Sequence, residues 1–190
     1  MKIDDIRLLL VSSSPRRKEI LSMVGISFRV LKSSVEEEIL SSPIETAVKN
    51  AEKKVLSVKD NQQKEEIALA ADTIVILDNK ILGKPKDKIE ALNFLKKLSG
   101  RWHTVITGFS LRFPDGRLIS SFEESKVKFK KLSLSEIEWY VSTEEPLDKA
   151  GAYGIQGIGA LFIEKIEGDF FNVMGLPISR IYDILSLELI

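Results

Sequence analysis

Ser12-Ser13-Ser14-Pro15-Arg16-Arg17 is the stretch whose residue types most plainly point to chemistry. It follows the apolar run Leu8-Leu9-Leu10-Val11 and precedes Ile20, Leu21 and Val24 at helical spacing. That order reads as a buried strand, a hydroxyl-rich turn and a helix start. Ser14 suits the N-cap, Pro15 suits the first helical position, and Gly25 closes the helix. A helix N-terminus favours acids, yet this first turn carries Arg16 and Arg17, with Lys18 behind them. The hydroxyls of Ser12 and Ser14, unpaired backbone N–H groups and two guanidiniums converging on one point describe a phosphate or polyphosphate site. A solvated basic turn is the plainer alternative.

Three other positions could contribute. Asp72 interrupts the most apolar run of the chain, residues 67–77, and a lone carboxylate in such a strand calls for a cation, a metal or hydrogen-bond donors. Lys54 borders the apolar face of a helix that opens at Pro43 and shows Ile44, Ala47, Val48, Ala51, Val55 and Val58. Its stem can pack while its ammonium reaches a cleft, though a snorkelling surface lysine is the plainer reading. Lys84 precedes Pro85 and is expected to be extended at a strand end. His103, the single histidine, has no partner for a dyad and reads as a structural hydrogen-bonder.

The elements that must position these residues follow from periodicity and caps. Phe28-Arg29-Val30-Leu31 reads as a second strand, and Ser42-Pro43-Ile44-Glu45 as a capping box. Asp87 opens a helix through Leu98, with Glu90 completing a box and Gly100 ending it. Residues 102–113 and 118–132 read as strands; Lys126, Lys128 and Lys130 on one face of the second would guard it against edge pairing. A helix is expected from 133 to about 142, then the small-residue loop 150–157, which lets backbone approach a flat ligand. Residues 159–165 and 170–173 are expected to form a hairpin around Glu167-Gly168-Asp169, and Pro177 to start the last helix.

With 190 residues the chain fits one domain, 1–190, in two lobes around a cleft. Lys+Arg and Asp+Glu each number 28, so no global basic field exists, and nucleic acid is not an expected partner. The absence of cysteine excludes disulfides and thiolate metal sites and fits a reducing cytoplasm. Met1-Lys2-Ile3-Asp4-Asp5 does not read as a signal peptide, and no run is long enough to span a bilayer.

Taken in order, residues 12–17, Ala71-Asp72-Thr73, Gly83-Lys84-Pro85, Ser99-Gly100 with His103 and Thr107-Gly108, residues 144–148, residues 149–157 and Gly175-Leu176-Pro177 resemble the Maf family of nucleotide pyrophosphatases. The stretches span nearly the whole chain. The resemblance implies an α/β fold with a mixed, strongly bent central sheet, flanking helices and two lobes around an active-site cleft. It implies a cytoplasmic, homodimeric hydrolase that cleaves nucleoside triphosphates to monophosphate and diphosphate with a divalent metal, Mg²⁺ or Mn²⁺. The loop Gly151-Ala152-Tyr153-Gly154-Ile155-Gln156-Gly157 resembles the branch acting on dTTP and UTP. The same resemblance gives Asp72 the role of proton acceptor, and lets Arg16, Thr73 and Gln156 set substrate choice. It matches Glu37, Lys54 and Lys84 to further active-site positions.

The chemistry of the side chains agrees. Arg16, Arg17, Lys54 and Lys84 supply four cations for a triphosphate, and Glu37 with Asp72 could ligate Mg²⁺. Whether Asp72 is base or metal ligand stays open. The Gln156 amide can match both the O4 acceptor and the N3–H donor of uracil or thymine, or else satisfy a loop carbonyl. A pyrophosphatase for modified purine triphosphates and a non-catalytic regulator of division are the rival readings.

Overall fold

A computed structural model of the chain describes residues 6–188. The reading of Met1-Lys2-Ile3-Asp4-Asp5 lies outside them. The apolar run after Ile6 forms β1 (Arg7–Val11), and Ser14 and Pro15 start α1 (Pro15–Met23) as their types dictate. The chain then runs through β2 (Ser27–Leu31), α2 (Pro43–Leu56), β3 (Ile67–Leu77) and β4 (Lys80–Leu82). Asp78 and Asn79, at φ 51° and 61°, make the two-residue left-handed turn between the last two strands. Next come α3 (Lys88–Leu98), β5 (Trp102–Arg112), β6 (Leu118–Phe129) and α4 (Leu134–Ser142). The end of the described chain holds β7 (Ile163–Glu167), α5 (Phe170–Met174) and α6 (Ile178–Glu188).

The seven strands form one mixed sheet in the order β2-β1-β3-β5-β6-β7, with β4 on β3. Both neighbours of β1 run parallel to it, while β4 on β3 and β7 on β6 are antiparallel. The expected mixed α/β class is therefore observed. The chain divides into two compact units. One comprises the residues through Asp72, Thr107–Glu123 and those from Gly175 onward; the other comprises Thr73–Ile106 and Glu124–Met174. In the first, Leu9, Val11, Val55, Ala68 and Ala70 pack together. In the second, a larger core joins α3, α4 and the strand residues Val75, Val105, Val127 and Phe129.

Several expectations are corrected. The buried face of α2 keeps the expected Ala47, Ala51 and Val55 and adds Thr46, Asn50 and Lys54, while Ile44 is exposed and Val48 half-buried. Ile44 shares the phase of Ala51 and Val55, seven and eleven residues on, but stands in the first turn of the helix. The predicted hairpin of residues 159–173 does not form. Gly157–Phe162 is a 3-10 turn, β7 pairs with β6, and the Asp169 carboxylate caps the Phe171 N–H at 2.8 Å to start α5. β6 ends at Phe129, and β7 covers it, so the lysine row does not guard a sheet edge. Lys128 and Lys130 instead donate to the carbonyls of Gly100 and Leu161. The box expected at Asp87 is displaced by one residue: Asp87 caps Glu90, while Glu90 accepts from Lys86 N–H. Among the described residues no helix is long and apolar enough to cross a membrane.

Candidate active site

Ser12 anchors the turn after β1. Its buried Oγ accepts the Ser14 N–H at 3.1 Å and the Arg17 Nη1 at 3.2 Å. Arg17 also donates from Nε to the Gly175 carbonyl at 2.8 Å. The guanidinium of the first helical turn is thus tied down on two sides. Ser14 is the N-cap by position, but its side chain makes no capping bond, and the first turn contains no acid. Arg16 lies close enough to oppose the charge on Arg17, whereas Asp72 and Glu37 favour it; burial is the larger influence and lowers the Arg17 pKa. An arginine remains charged under such a shift. Ser12, Arg16, Arg17, Glu37 and Asp72 therefore belong to one electrostatic neighbourhood.

Its centre is Lys54. The ammonium lies 2.8 Å from Asp72 Oδ1 and 2.7 Å from Glu37 Oε1, with the Ala71 carbonyl at 3.4 Å. The side chains of Lys54 and Asp72 are only 11% and 8% exposed, against 47% for Glu37. The snorkelling reading of Lys54 is thereby overturned. Residues four apart share a helix face, so Thr46, Asn50 and Lys54 put a polar seam on the buried side of α2. Gly108 brings that helix in closely: a Cβ there would stand 2.4 Å from the Ala47 carbonyl carbon. No side chain larger than hydrogen fits at that approach.

Asn50 is the functional candidate that pattern reading missed. Its Oδ1 accepts the Glu38 N–H at 2.9 Å, and its Nδ2 donates to the Glu38 carbonyl at 3.0 Å and to Asp72 Oδ2 at 3.0 Å. The two bonds to Glu38 fix which way the amide points. Asn50 then has one N–H left, and Asp72 receives it. The segment carrying Glu37, which has no regular structure, is fastened to the helix by this amide and by Thr46, whose Oγ1 accepts the Leu40 N–H at 3.0 Å. A polar residue four before Lys54 inside an apolar stripe was the available signal.

Burial pushes the Asp72 carboxyl above its ordinary range. Lys54 opposes that rise, Glu37 adds to it, and the hydrogen bonds from Lys54 and Asn50 again oppose it. Among the described residues no group of three or more His, Asp or Glu is placed to hold a metal ion. Glu37 and Asp72 are nonetheless hard oxygen donors of the kind Mg²⁺ accepts. Two carboxylates suffice where phosphates and water complete its shell, so the donor set fits in kind.

The remaining sequence candidates belong to the second unit. Thr73 is the next residue on β3 and is half-buried. Lys84 is exposed just beyond β4, and the neighbouring Gly83 carbonyl accepts the Gly151 N–H at 3.0 Å, which ties that segment to the small-residue loop. Gln156 is half-buried and extended at φ −99°, ψ 160°, immediately before the 3-10 turn. His103 is buried; its Nε2 lies 2.7 Å from the Tyr153 hydroxyl. It is a structural hydrogen-bonder, as its isolation in the sequence suggested.

Fold and site define a mixed-sheet α/β protein with a cationic helix start near a buried carboxylate–ammonium cluster. The family model described as Maf-like protein matches residues 7–188, and the chain belongs to the Maf family. It is 49% identical over 180 residues to a dTTP/UTP pyrophosphatase of Aquifex aeolicus, covering 94% of each chain. It is 50% identical over 184 residues to a dTTP/UTP pyrophosphatase of Thermoanaerobacter sp., covering 96% of each. Among solved structures, the Ham1 protein of Staphylococcus aureus aligns with a TM-score of 0.54 at 14% identity, over 96% of this chain and 99% of that one. That likeness bears on the fold.

Proposed function

We propose that this chain is a nucleoside triphosphate pyrophosphatase acting on dTTP and UTP. The observation that carries the reading is Arg17, a tethered guanidinium in the first turn of α1, within electrostatic reach of Asp72 and Glu37. Its similarity to the dTTP/UTP pyrophosphatases of Aquifex aeolicus and Thermoanaerobacter supports the same reading.

In this mechanism Arg16, Arg17, Lys54 and Lys84 neutralise the triphosphate oxygens. Water attacks the α-phosphorus and Asp72 takes its proton. The bond from that phosphorus to the α–β bridging oxygen breaks, and the pyrophosphate leaves with the electron pair. Lys54 holds one Asp72 oxygen and Asn50 the other, so the carboxylate cannot swing. Glu37 and Asp72 would hold the divalent cation, which when bound supplies further neutralisation of phosphate charge. Ser12 and Ser14 line the phosphate turn, while Thr73 and Gln156 act at the nucleoside end, Gln156 through its amide against O4 and N3–H of the base.

The test is pyrophosphate release by purified protein across dTTP, UTP, CTP, GTP, ATP and modified purine triphosphates, with Mg²⁺ or Mn²⁺. We expect dTTP and UTP to lead. Arg17→Ala should lower kcat/KM by about 10–100-fold, the scale of charge-assisted bonds, and Arg17→Lys should recover only part because it lacks the planar fork. A preference for modified purines would overturn the substrate assignment. A folded protein that releases no pyrophosphate from any of them would overturn the enzyme and favour a regulator.

A further inference from the structure

The geometry points to Glu145 as a specificity-determining positioning residue, which sets base choice through the loop that carries Gln156; this rests on the proposed reading of Gln156. Glu145 begins the 3-10 turn Glu145–Asp148, directly after Glu144 in a left-handed conformation at φ 65°. Its side chain leaves that turn and reaches the loop. Oε2 accepts the Ile158 N–H at 3.0 Å, and Oε1 accepts the Gly159 N–H at 3.1 Å. Oε1 also accepts the Tyr140 hydroxyl at 2.9 Å, and the Tyr140 oxygen in turn accepts the Gly154 N–H at 3.4 Å. One carboxylate and one phenol thus hold amides two residues before Gln156 and two and three residues after it.

The loop is shaped to accept this hold. Gly157 sits at φ 76°, and a Cβ there would stand 2.9 Å from Glu145 Oε2. A Cβ on Gly159 would stand 2.5 Å from the Gly154 carbonyl oxygen and 2.7 Å from the Tyr140 hydroxyl. Lys149 Nζ donates to the Glu145 carbonyl at 2.6 Å, which fixes the backbone from which the carboxylate extends. Tyr140 is fully buried, and burial followed by the Glu145 charge keeps its hydroxyl protonated and donating.

A glutamine amide reads O4 and N3–H of uracil or thymine together only when its two ends are delivered at a fixed distance and angle to the ring, and the position of its backbone sets that delivery. Bonds from a carboxylate to backbone N–H groups are stronger than neutral ones and suit that task. Glu145 therefore affects base choice without touching the base. A residue that merely stabilised the fold would change activity on every triphosphate alike.

Glu145→Gln removes the charge and leaves one carbonyl acceptor where two oxygens served three donors. We expect the dTTP-to-CTP ratio of kcat/KM to fall about tenfold, chiefly through KM, as a hydrogen-bonding group set for one partner loses its alignment. In a Gln156→Ala background the same substitution should change the ratio less than about twofold, because coupled residues are non-additive. Amide hydrogen exchange at Ile158 and Gly159 should accelerate while the rest of the protection pattern holds. Tyr140→Phe, which keeps the ring and removes one bond of the brace, should lower the ratio by about two- to threefold and serves if Glu145→Gln does not fold. Equal losses on dTTP and CTP, unchanged exchange at Ile158 and Gly159, or an undiminished effect in the Gln156→Ala background would overturn the proposal. A Gln156→Ala protein with an unaltered ratio would overturn the reading of Gln156, and this proposal with it. An altered ratio there, with none in Glu145→Gln or Tyr140→Phe, would overturn this proposal alone.

Discussion

Lys54 and His103 are basic side chains almost withdrawn from water, one in each compact unit. Lys54 meets two carboxylates and a backbone carbonyl. His103 meets the Tyr153 hydroxyl and two aromatic rings edge-on, with centroids 5.1 Å (Phe129) and 5.3 Å (Tyr153) away. Among the described residues its Nδ1 finds no hydrogen-bond partner, so a proton there would be a buried donor without an acceptor. Burial accordingly pushes its pKa down to about 4. One region keeps charge inside by assembling opposite charges around it; the other gives charge up and uses the ring for packing. Buried charge is expensive even when paired, and replacing it by apolar groups is often harmless to stability. Its retention around Lys54 is what a chemical role would require, and no such demand falls on His103.

The contrast breaks most directly at Asp72. Asp72→Asn preserves shape and removes the charge. We expect kcat to fall by about 10²-fold or more, the usual range for a general base. The Tm should stay level or rise, because burial is the largest influence on this carboxyl and works against its ionised form, while Glu37 still faces Lys54. Pyrophosphate-release kinetics and thermal denaturation of the same preparation check both parts. Wild-type kcat in Asp72→Asn would reduce the cluster to a structural ion pair and erase the difference between the regions.

The two regions also differed in how far the sequence exposed them. Asp72 was visible because a single carboxylate breaks an eleven-residue strand, and the start of α1 because Ser14, Pro15 and the misplaced arginines each have a positional meaning. His103 was visible as an isolated titratable group in a strand. The buried state of Lys54 and the partners of Asn50 were hidden: spacing sets both residues along the apolar stripe of α2 and leaves open what they meet there. The fastening of the Glu37 segment was hidden too: side-chain bonds from Asn50 and Thr46 to the backbone near Glu38 and Leu40 leave no period to read. The segment around Gly168 reads as a hairpin from sequence because short apolar runs do not separate a strand from a helical turn. The cap from Asp169 decided it for α5.

Asn50 sharpens the comparison at intermediate size. Asn50→Leu would leave the Glu38 N–H and carbonyl and one Asp72 oxygen without their partner. Asp72 is buried, so its unsatisfied oxygen costs about 1–3 kcal/mol, whereas Glu38 is exposed and water replaces part of what its backbone loses. We expect kcat/KM to fall by about tenfold as Glu37 and Asp72 lose their common tether, with a drop in Tm. Steady-state kinetics beside a melting curve measure both. Wild-type kcat/KM in a destabilised Asn50→Leu protein would confine Asn50 to the fold and leave Lys54 as the only organiser of the cluster.

The smallest effect is expected at His103, and it appears in stability against pH. An unfolded histidine takes its proton near pH 6.5, while the folded one does so only near pH 4. Between those values the unfolded state binds more protons, so stability falls as the pH falls, and it is fully present only above about pH 6.5. The gap corresponds to roughly 3 kcal/mol at most, from 1.36 kcal/mol per unit. Glu66, whose pKa Arg29 holds down, loses its contribution only at the lower end of this window and below it. Asp72 works in the opposite direction: its raised carboxyl is protonated earlier in the folded state than in the unfolded one, so acid favours the folded form there. A difference measurement separates these terms. His103→Gln keeps a hydrogen-bonding group near the Tyr153 hydroxyl but does not titrate, whereas Glu66 and Asp72 are common to both proteins. The Tm gap between wild type and His103→Gln should therefore change steadily in favour of the variant from pH 6.5 down to pH 4, and pyrophosphate release at pH 8 should stay within about twofold, as for a residue outside the site. Parallel Tm profiles would mean that His103 carries its charge inside the fold after all, and the distinction between a region that keeps buried charge and one that surrenders it would fail at its second term.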